Sequence, residues 1–257
     1  MTKALVSAVL VQGALREVAS EERARGSMGF FKTGPGEYGE GDRFLGVTVP
    51  AQRAIAKAAR GLVFAELDAL LASPWHEARL TALFVLVDAY ERGESQAKGE
   101  VARFYADHFS RVNNWDLVDS SAWQILGRHV RGGAPSPLAV LARSRSMWER
   151  RIAMVSTFAW IKEGESEPAC TLAASLLNDR EDLMHKAVGW MLREVGKRVS
   201  VQALVAFLDA HADDMPRTSL RYAIERFPAE ERVRWLARGK EIRTPSAAKR
   251  SALRNAP

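Results

Sequence analysis

The sequence predicts an all-α chain, a solenoid of stacked helix pairs, and three observations carry that prediction. Apolar residues recur with a helical period in segments of about 10–18 residues separated by short breaks. No alternating run bounded by hairpin turns competes with them. A segment of one phase returns along the chain at a spacing close to that of two-helix repeats.

In chain order, residues 5–17 and 20–31 form two amphipathic segments, the second rich in charge. A glycine-rich interruption, Gly34-Pro35-Gly36-Glu37-Tyr38-Gly39-Glu40-Gly41-Asp42, leads into Phe44-Leu45-Gly46-Val47. Pro50 suits the first turn of a helix over 50–62, where a missing N–H costs nothing. Further helices are predicted over 64–72, 75–92, 96–112, 114–131, 136–145, 148–162, 166–178, 181–198, 200–212, 216–226 and 228–239. The breaks between them carry Ser73-Pro74, Gly93, Asn113-Asn114, Gly132-Gly133, Pro135, Gly164 and Pro228. One repeat domain is expected over 1–240, with a basic, flexible tail over 241–257.

The repeat rests on three segments that begin near Trp75, Trp148 and Leu183. Aligning Arg79, Arg151 and Lys186 gives separations of 72 and 35, the first about twice the second. The missing unit is expected near residue 115, where Trp115-Asp116-Leu117-Val118-Asp119 stands. Helix pairs of this kind bury their apolar faces by stacking, which produces a curved array with a concave face. Taken alone, such an array suits a protein-binding scaffold better than a duplex-binding groove.

Composition narrows the class. A 257-residue chain with 47% hydrophobic and 26% charged residues has a core to bury and is no disordered chain. Cys170 is the single cysteine, which excludes an internal disulfide or a cysteine-rich zinc site and suits a reducing compartment. Lys and Arg exceed Asp and Glu by 37 to 31, a net charge of +6, which attracts polyanions. No apolar stretch approaches the roughly 18 residues of a membrane span. The apolar run 4–12 continues into a helical pattern, so a cytoplasmic protein without membrane contact is expected.

Two segments are candidates for chemistry, beside Arg151, one of two adjacent arginines at the start of its repeat helix and unremarkable alone. In 113–123, Asn113 is expected to cap a helix, with Asp116 returning the bond as in a capping box. Trp115 and Asp119, four apart, share a helix face; an indole beside a carboxylate is unusual for a core stripe. Taken alone, the pair is more simply a partly buried Trp beside a solvated Asp. In 186–193, Lys186, Trp190 and Arg193 share another face, and Gly189 lets something approach closely. A core Trp with a snorkelling Arg fits that segment too. A Walker loop, an HExxH helix and a GxSxG elbow are all missing, and the five histidines lack metal-ligand spacing, so neither metal nor cofactor is expected. The acids of the Gly34–Asp42 loop suit a chain reversal better than a phosphate cradle.

These residues together are similar to the AlkD-like family of bacterial alkylpurine DNA glycosylases, built from HEAT-like repeats. The likeness runs from about residue 20 to about residue 235. It is carried by Phe30-Phe31-Lys32 with Gly34-Pro35-Gly36-Glu37-Tyr38-Gly39, Phe44-Leu45-Gly46-Val47 ahead of Pro50, and Trp115-Asp116-Leu117-Val118-Asp119-Ser120. Trp148 with Arg151 and Lys186 through Glu194 complete it. The resemblance implies a right-handed superhelical solenoid with a concave basic face. It implies base excision repair on double-stranded DNA that contains alkylated purines, and hydrolysis of the N-glycosidic bond without base flipping; a monomer is expected separately, because a repeat array with capped ends needs no partner to fold. Carried over, it makes Asp119 the catalytic carboxylate and Trp115 and Trp190 the aromatic walls. Arg151, Arg193, Lys186, Phe30 and Lys32 become DNA contacts, with Phe30 standing where well-known members have Tyr. The same fold without bond cleavage, binding branched or damaged DNA, is the alternative, beside the protein-interaction scaffold.

Overall fold

The computed structural model describes residues 4–133 and 136–238, which form two compact units, one on each side of residues 133 and 134. Both are helical, and among the described residues the only extended pairing is an isolated parallel bridge between Arg43 and Trp75. The expected tail over 241–257 lies outside the described residues.

The first unit contains α1 (Ala8–Glu17), α2 (Glu21–Phe30), α3 (Val49–Ala58), α4 (Phe64–Leu71), α5 (His76–Arg92), α6 (Ser95–Asp107), α7 (Trp115–Asp119) and α8 (Arg128–Arg131). The second contains α9 (Ser136–Leu141), α10 (Met147–Ser156), α11 (Phe158–Ile161), α12 (Glu167–Ser175), α13 (Asp182–Arg198), α14 (Val201–His211), α15 (Arg217–Ala223) and α16 (Ala229–Leu236). Serine side chains open several of them: Ser7, Ser20, Ser146 and Ser200 each accept from an N–H three residues on, satisfying a donor with no partner inside the helix. Pro50 falls in the first turn of α3, as its fixed φ favours. The four repeat segments open α5, α7, α10 and α13.

Packing follows the logic of a helical repeat. A helix meets its chain neighbour, as α5 meets α4 and α6 and α13 meets α14. It also meets a helix further along the chain, as α3 meets α5 and α13 meets α15. One long helix is the axis of each unit. In α5 every residue from His76 to Leu86 is buried, and in α13 Met184, Ala187, Val188, Met191, Leu192 and Val195 are nearly inaccessible. Each large apolar side chain so buried contributes about 1.5–3 kcal/mol.

Two expected helices are broken, for the same reason. The segment 114–131 is helical only to Asp119, then turns and resumes as a π-helical stretch over Trp123–Gly127, where Gly127 N–H bonds Ala122 C=O at 2.9 Å. The Ser121 hydroxyl donates to the Leu117 carbonyl at 2.6 Å, and its oxygen meets the buried Tyr105 hydroxyl at 2.8 Å. A side chain has taken over the backbone acceptor, which bends or ends a helix. Thr157 does the same within 148–162, donating to Met154 C=O at 2.7 Å, so α10 and α11 replace one helix. The expected helix 96–112 stops at Asp107 and closes with a 3-10 turn over Phe109–Arg111.

Candidate active site

A cleft of about 620 Å³ opens in the first unit against α2, α3, α5 and α7. Its aromatic walls form a column: Phe44 stacks on Phe31 at 4.9 Å between centroids, and Phe31 stacks on Trp115 at 5.3 Å and 15°. Phe30 meets Trp115 edge-on at 5.8 Å and is 65% exposed. The column exists because the chain leaving α2 folds back along the start of α5. Arg43 C=O accepts from His76 N–H at 2.8 Å, and the buried Glu77 carboxylate accepts from the N–H groups of Leu45, Gly46 and Val47. Gly46 has φ 74°, and a Cβ there would lie 2.1 Å from the Ser20 carbonyl oxygen, so no other residue fits the turn.

Against the column lies a largely buried polar chain. His76 presents Nδ1 to Asp42 Oδ2 at 3.1 Å and Nε2 to Asp116 Oδ2 at 2.8 Å. Arg79 donates to Asp42 Oδ1 at 2.5 Å, and Asn114 Nδ2 donates to Asp42 Oδ2 at 3.0 Å. Burial, the largest single influence on His76, disfavours its charged form. The Asp116 charge and the hydrogen bonds to Asp116 and Asp42 outweigh burial and the Arg79 charge, and the imidazole is raised to about 9. Burial also pushes the Asp42 carboxyl up, but hydrogen bonds from His76, Asn114 and Arg79 and the Arg79 charge bring it down to about 2.

This network corrects the expected cap. Asn114, not Asn113, opens α7, its Oδ1 accepting from Trp115 N–H at 2.8 Å. Asp116 bonds Leu117 N–H at 2.8 Å and His76, so it closes no capping box. Tertiary partners have claimed a side chain whose spacing suggested a local role. Trp115 and Asp119 sit one turn apart on α7, both partly exposed, with Trp115 on the cleft. Lys32, exposed, holds the left-handed turn out of α2 at φ 55°. The acids of the Gly34–Asp42 loop are spent internally: Glu37 accepts from Gly34 N–H, Glu40 from Gly36 N–H, and Asp42 binds α5.

The model of the family described as DNA alkylation repair enzyme matches residues 11–227, most of the chain. The chain belongs to the DNA alkylation repair enzyme family. Among solved structures it is similar to a predicted DNA alkylation repair enzyme from Enterococcus faecalis, with a TM-score of 0.65 and 16% identity over 82% of this chain and 97% of that one. At that identity the likeness is one of fold. No curated protein matches the chain significantly.

In this alkylation repair family member the remaining expected site residues lie in the second unit. Lys186, Trp190 and Arg193 are on α13, all partly exposed. Lys186 pairs with Asp182 at 2.8 Å. Arg193 pairs with Glu225 and lies 3.6 Å from Glu194. Trp190 meets Phe158 at 6.4 Å. Arg151, on α10, is 4% exposed, with Nη1 on the Leu183 carbonyl at 2.5 Å. Gly189 does admit a close neighbour, and that neighbour is α15: a Cβ there would lie 2.4 Å from the Ser219 carbonyl oxygen. The structure adds Phe31, Phe44, His76 and Asp42 to the surroundings of Trp115. Their sequence signals were present but diffuse: acids in a glycine-rich loop, and a His and an Arg three residues apart at the start of a repeat helix.

Proposed function

We propose that this alkylation repair family member is a DNA glycosylase that excises cationic N3- and N7-alkylated purines from duplex DNA, leaving an abasic site. The observation that carries the reading is α7, which sets the Trp115 indole on an aromatic cleft and the Asp119 carboxylate one turn away, in a chain of net charge +6.

The chemistry suits those two side chains. An alkylated purine of this kind is positively charged before any bond breaks. When the glycosidic bond breaks, its electron pair returns to the purine and neutralises that charge, so the leaving base needs no proton. The anomeric carbon is left electron-poor. The Asp119 carboxylate opposes that developing charge and orients a water, whose oxygen bonds the anomeric carbon while its proton passes to the carboxylate. The indole face of Trp115 favours a cationic base over a neutral one by about 0.5–2 kcal/mol. Phe30, exposed and edge-on to Trp115, extends the apolar wall, and Lys32 supplies a phosphate contact beside it. Trp190, Lys186, Arg193 and Arg151 enter this reading through the resemblance alone, and alanine variants of each test their part.

The deciding experiment is release of 3-methyladenine or 7-methylguanine from methylated duplex DNA. Wild-type protein is expected to release base, and Asp119→Asn to lose most of that activity while binding DNA nearly as well. DNA binding that falls with salt, without base release, overturns the catalytic reading in favour of a damage-binding protein. No DNA binding at physiological salt favours a scaffold.

A further inference from the structure

His76 has both ring nitrogens on carboxylates, Asp42 on one side and Asp116 on the other. An ionised carboxylate only accepts, and a neutral imidazole has one N–H to give. Both contacts are satisfied together only by the imidazolium. The neighbouring charges agree. Asp42 and Asp116 face His76 and Arg79, two negative groups against two positive, while the nearby Glu77 carboxylate is committed to Leu45, Gly46 and Val47. The ring also stacks on Phe44 at 4.7 Å and lies 4.9 Å from Phe31, the residue stacked on Trp115.

Helix α7 depends on this group more than a longer helix would. It has five residues, too few for its own hydrogen bonds to set its direction. Asn114 on Asp42 and Asp116 on His76 pin it from outside. We infer that His76 is a positioning residue: a buried imidazolium that aims α7, and with it the Trp115 indole and the Asp119 carboxylate, through Asp116 on one side and the Phe31–Phe44 stack on the other. The functional half of this inference rests on the glycosylase reading; the structural half does not.

The proton is held well above the ordinary histidine range, to about pH 9. With the folded value raised, the contribution of His76 is complete below the unfolded value near 6.5 and is lost as pH rises through about 9. Two arms test the inference. Fluorine NMR on fluorotryptophan-labelled protein identifies Trp115 as the resonance absent from Trp115→Phe. That resonance is expected to titrate with a midpoint near pH 9 in wild type, to be flat in His76→Gln, and to shift its midpoint downward in Asp116→Asn, which keeps an acceptor but removes the charge. The second arm is single-turnover base release with enzyme in excess. His76→Gln is expected to lower the saturated rate by about tenfold or more while changing the half-saturating concentration by less than about threefold, because aim is lost and phosphate contacts are kept. A flat Trp115 resonance in wild type, or an unmoved midpoint in Asp116→Asn, overturns the structural coupling even if His76→Gln fails to fold. Wild-type release matched by His76→Gln overturns the functional half. A wild type that titrates as expected but releases no base overturns the glycosylase reading and leaves the coupling standing.

Discussion

Replacing Gly189 by Ala sets two effects of known size against each other. Gly189 lies inside α13, where Ala is preferred to Gly by about 1 kcal/mol. On propensity alone the variant is more stable. The packing says otherwise: the new Cβ would lie 2.4 Å from the Ser219 carbonyl oxygen and 2.5 Å from the Tyr222 Cβ. Neither atom is the movable end of a side chain, so relief requires α13 and α15 to part by about 1 Å, in an interior that is close-packed. Forcing extra volume into such a contact costs about 1–3 kcal/mol, and the backbone character of both obstacles places the cost at the upper end. The net expectation is a loss of about 1–2 kcal/mol. Gly99→Ala, inside α6 with nothing within 4 Å of the added atom, is the control and is expected to gain up to about 1 kcal/mol. Urea unfolding followed by helical circular dichroism reads both: the midpoint falls for Gly189→Ala and rises for Gly99→Ala. A Gly189→Ala midpoint at or above wild type would refute the assignment of this glycine to the α13–α15 contact.

Glu77→Ala leaves three loop N–H groups without their acceptor. With hydrogen bonds to a charged group worth about 1.5–3 kcal/mol each, a combined loss of at least about 3 kcal/mol is expected in urea unfolding, and an unchanged midpoint contradicts the role given to this carboxylate. Asp42, held down to about 2 from an ordinary 3.8, contributes stability that is complete above the ordinary value and is lost as pH falls towards 2. The stability gap between wild type and Asp42→Asn is therefore expected to shrink on acidification across that range, and a gap independent of pH there argues against an ionised Asp42 in the network.

The helical class was legible because it is written locally. Ser7, Ser20, Ser146 and Ser200 satisfy helix donors from within three residues, and the apolar period shows which face turns inward. The breaks at Ser121 and Thr157 were not legible, because a hydroxyl that takes a backbone carbonyl leaves the apolar period intact. The pairing of Trp115 with Asp119 could be read from helix spacing, as could the shared face of Lys186, Trp190 and Arg193. Their neighbours could not. Arg193 is already matched with Glu225, 32 residues away, and Arg151 is buried against the Leu183 carbonyl.

What the chain's order of residues determined by itself was the kind of element, its phase and its repeat, since propensity, capping and periodicity act over a few neighbours. The tertiary structure alone decided which groups share a proton or a charge. His76 meets Asp42 across 34 residues and Asp116 across 40, and Asn114 meets Asp42 across 72. At those separations nothing in the spacing selects a partner. The selection is made when the helices pack and water leaves, because a buried carboxylate must then be matched by whichever donors the packing has brought beside it.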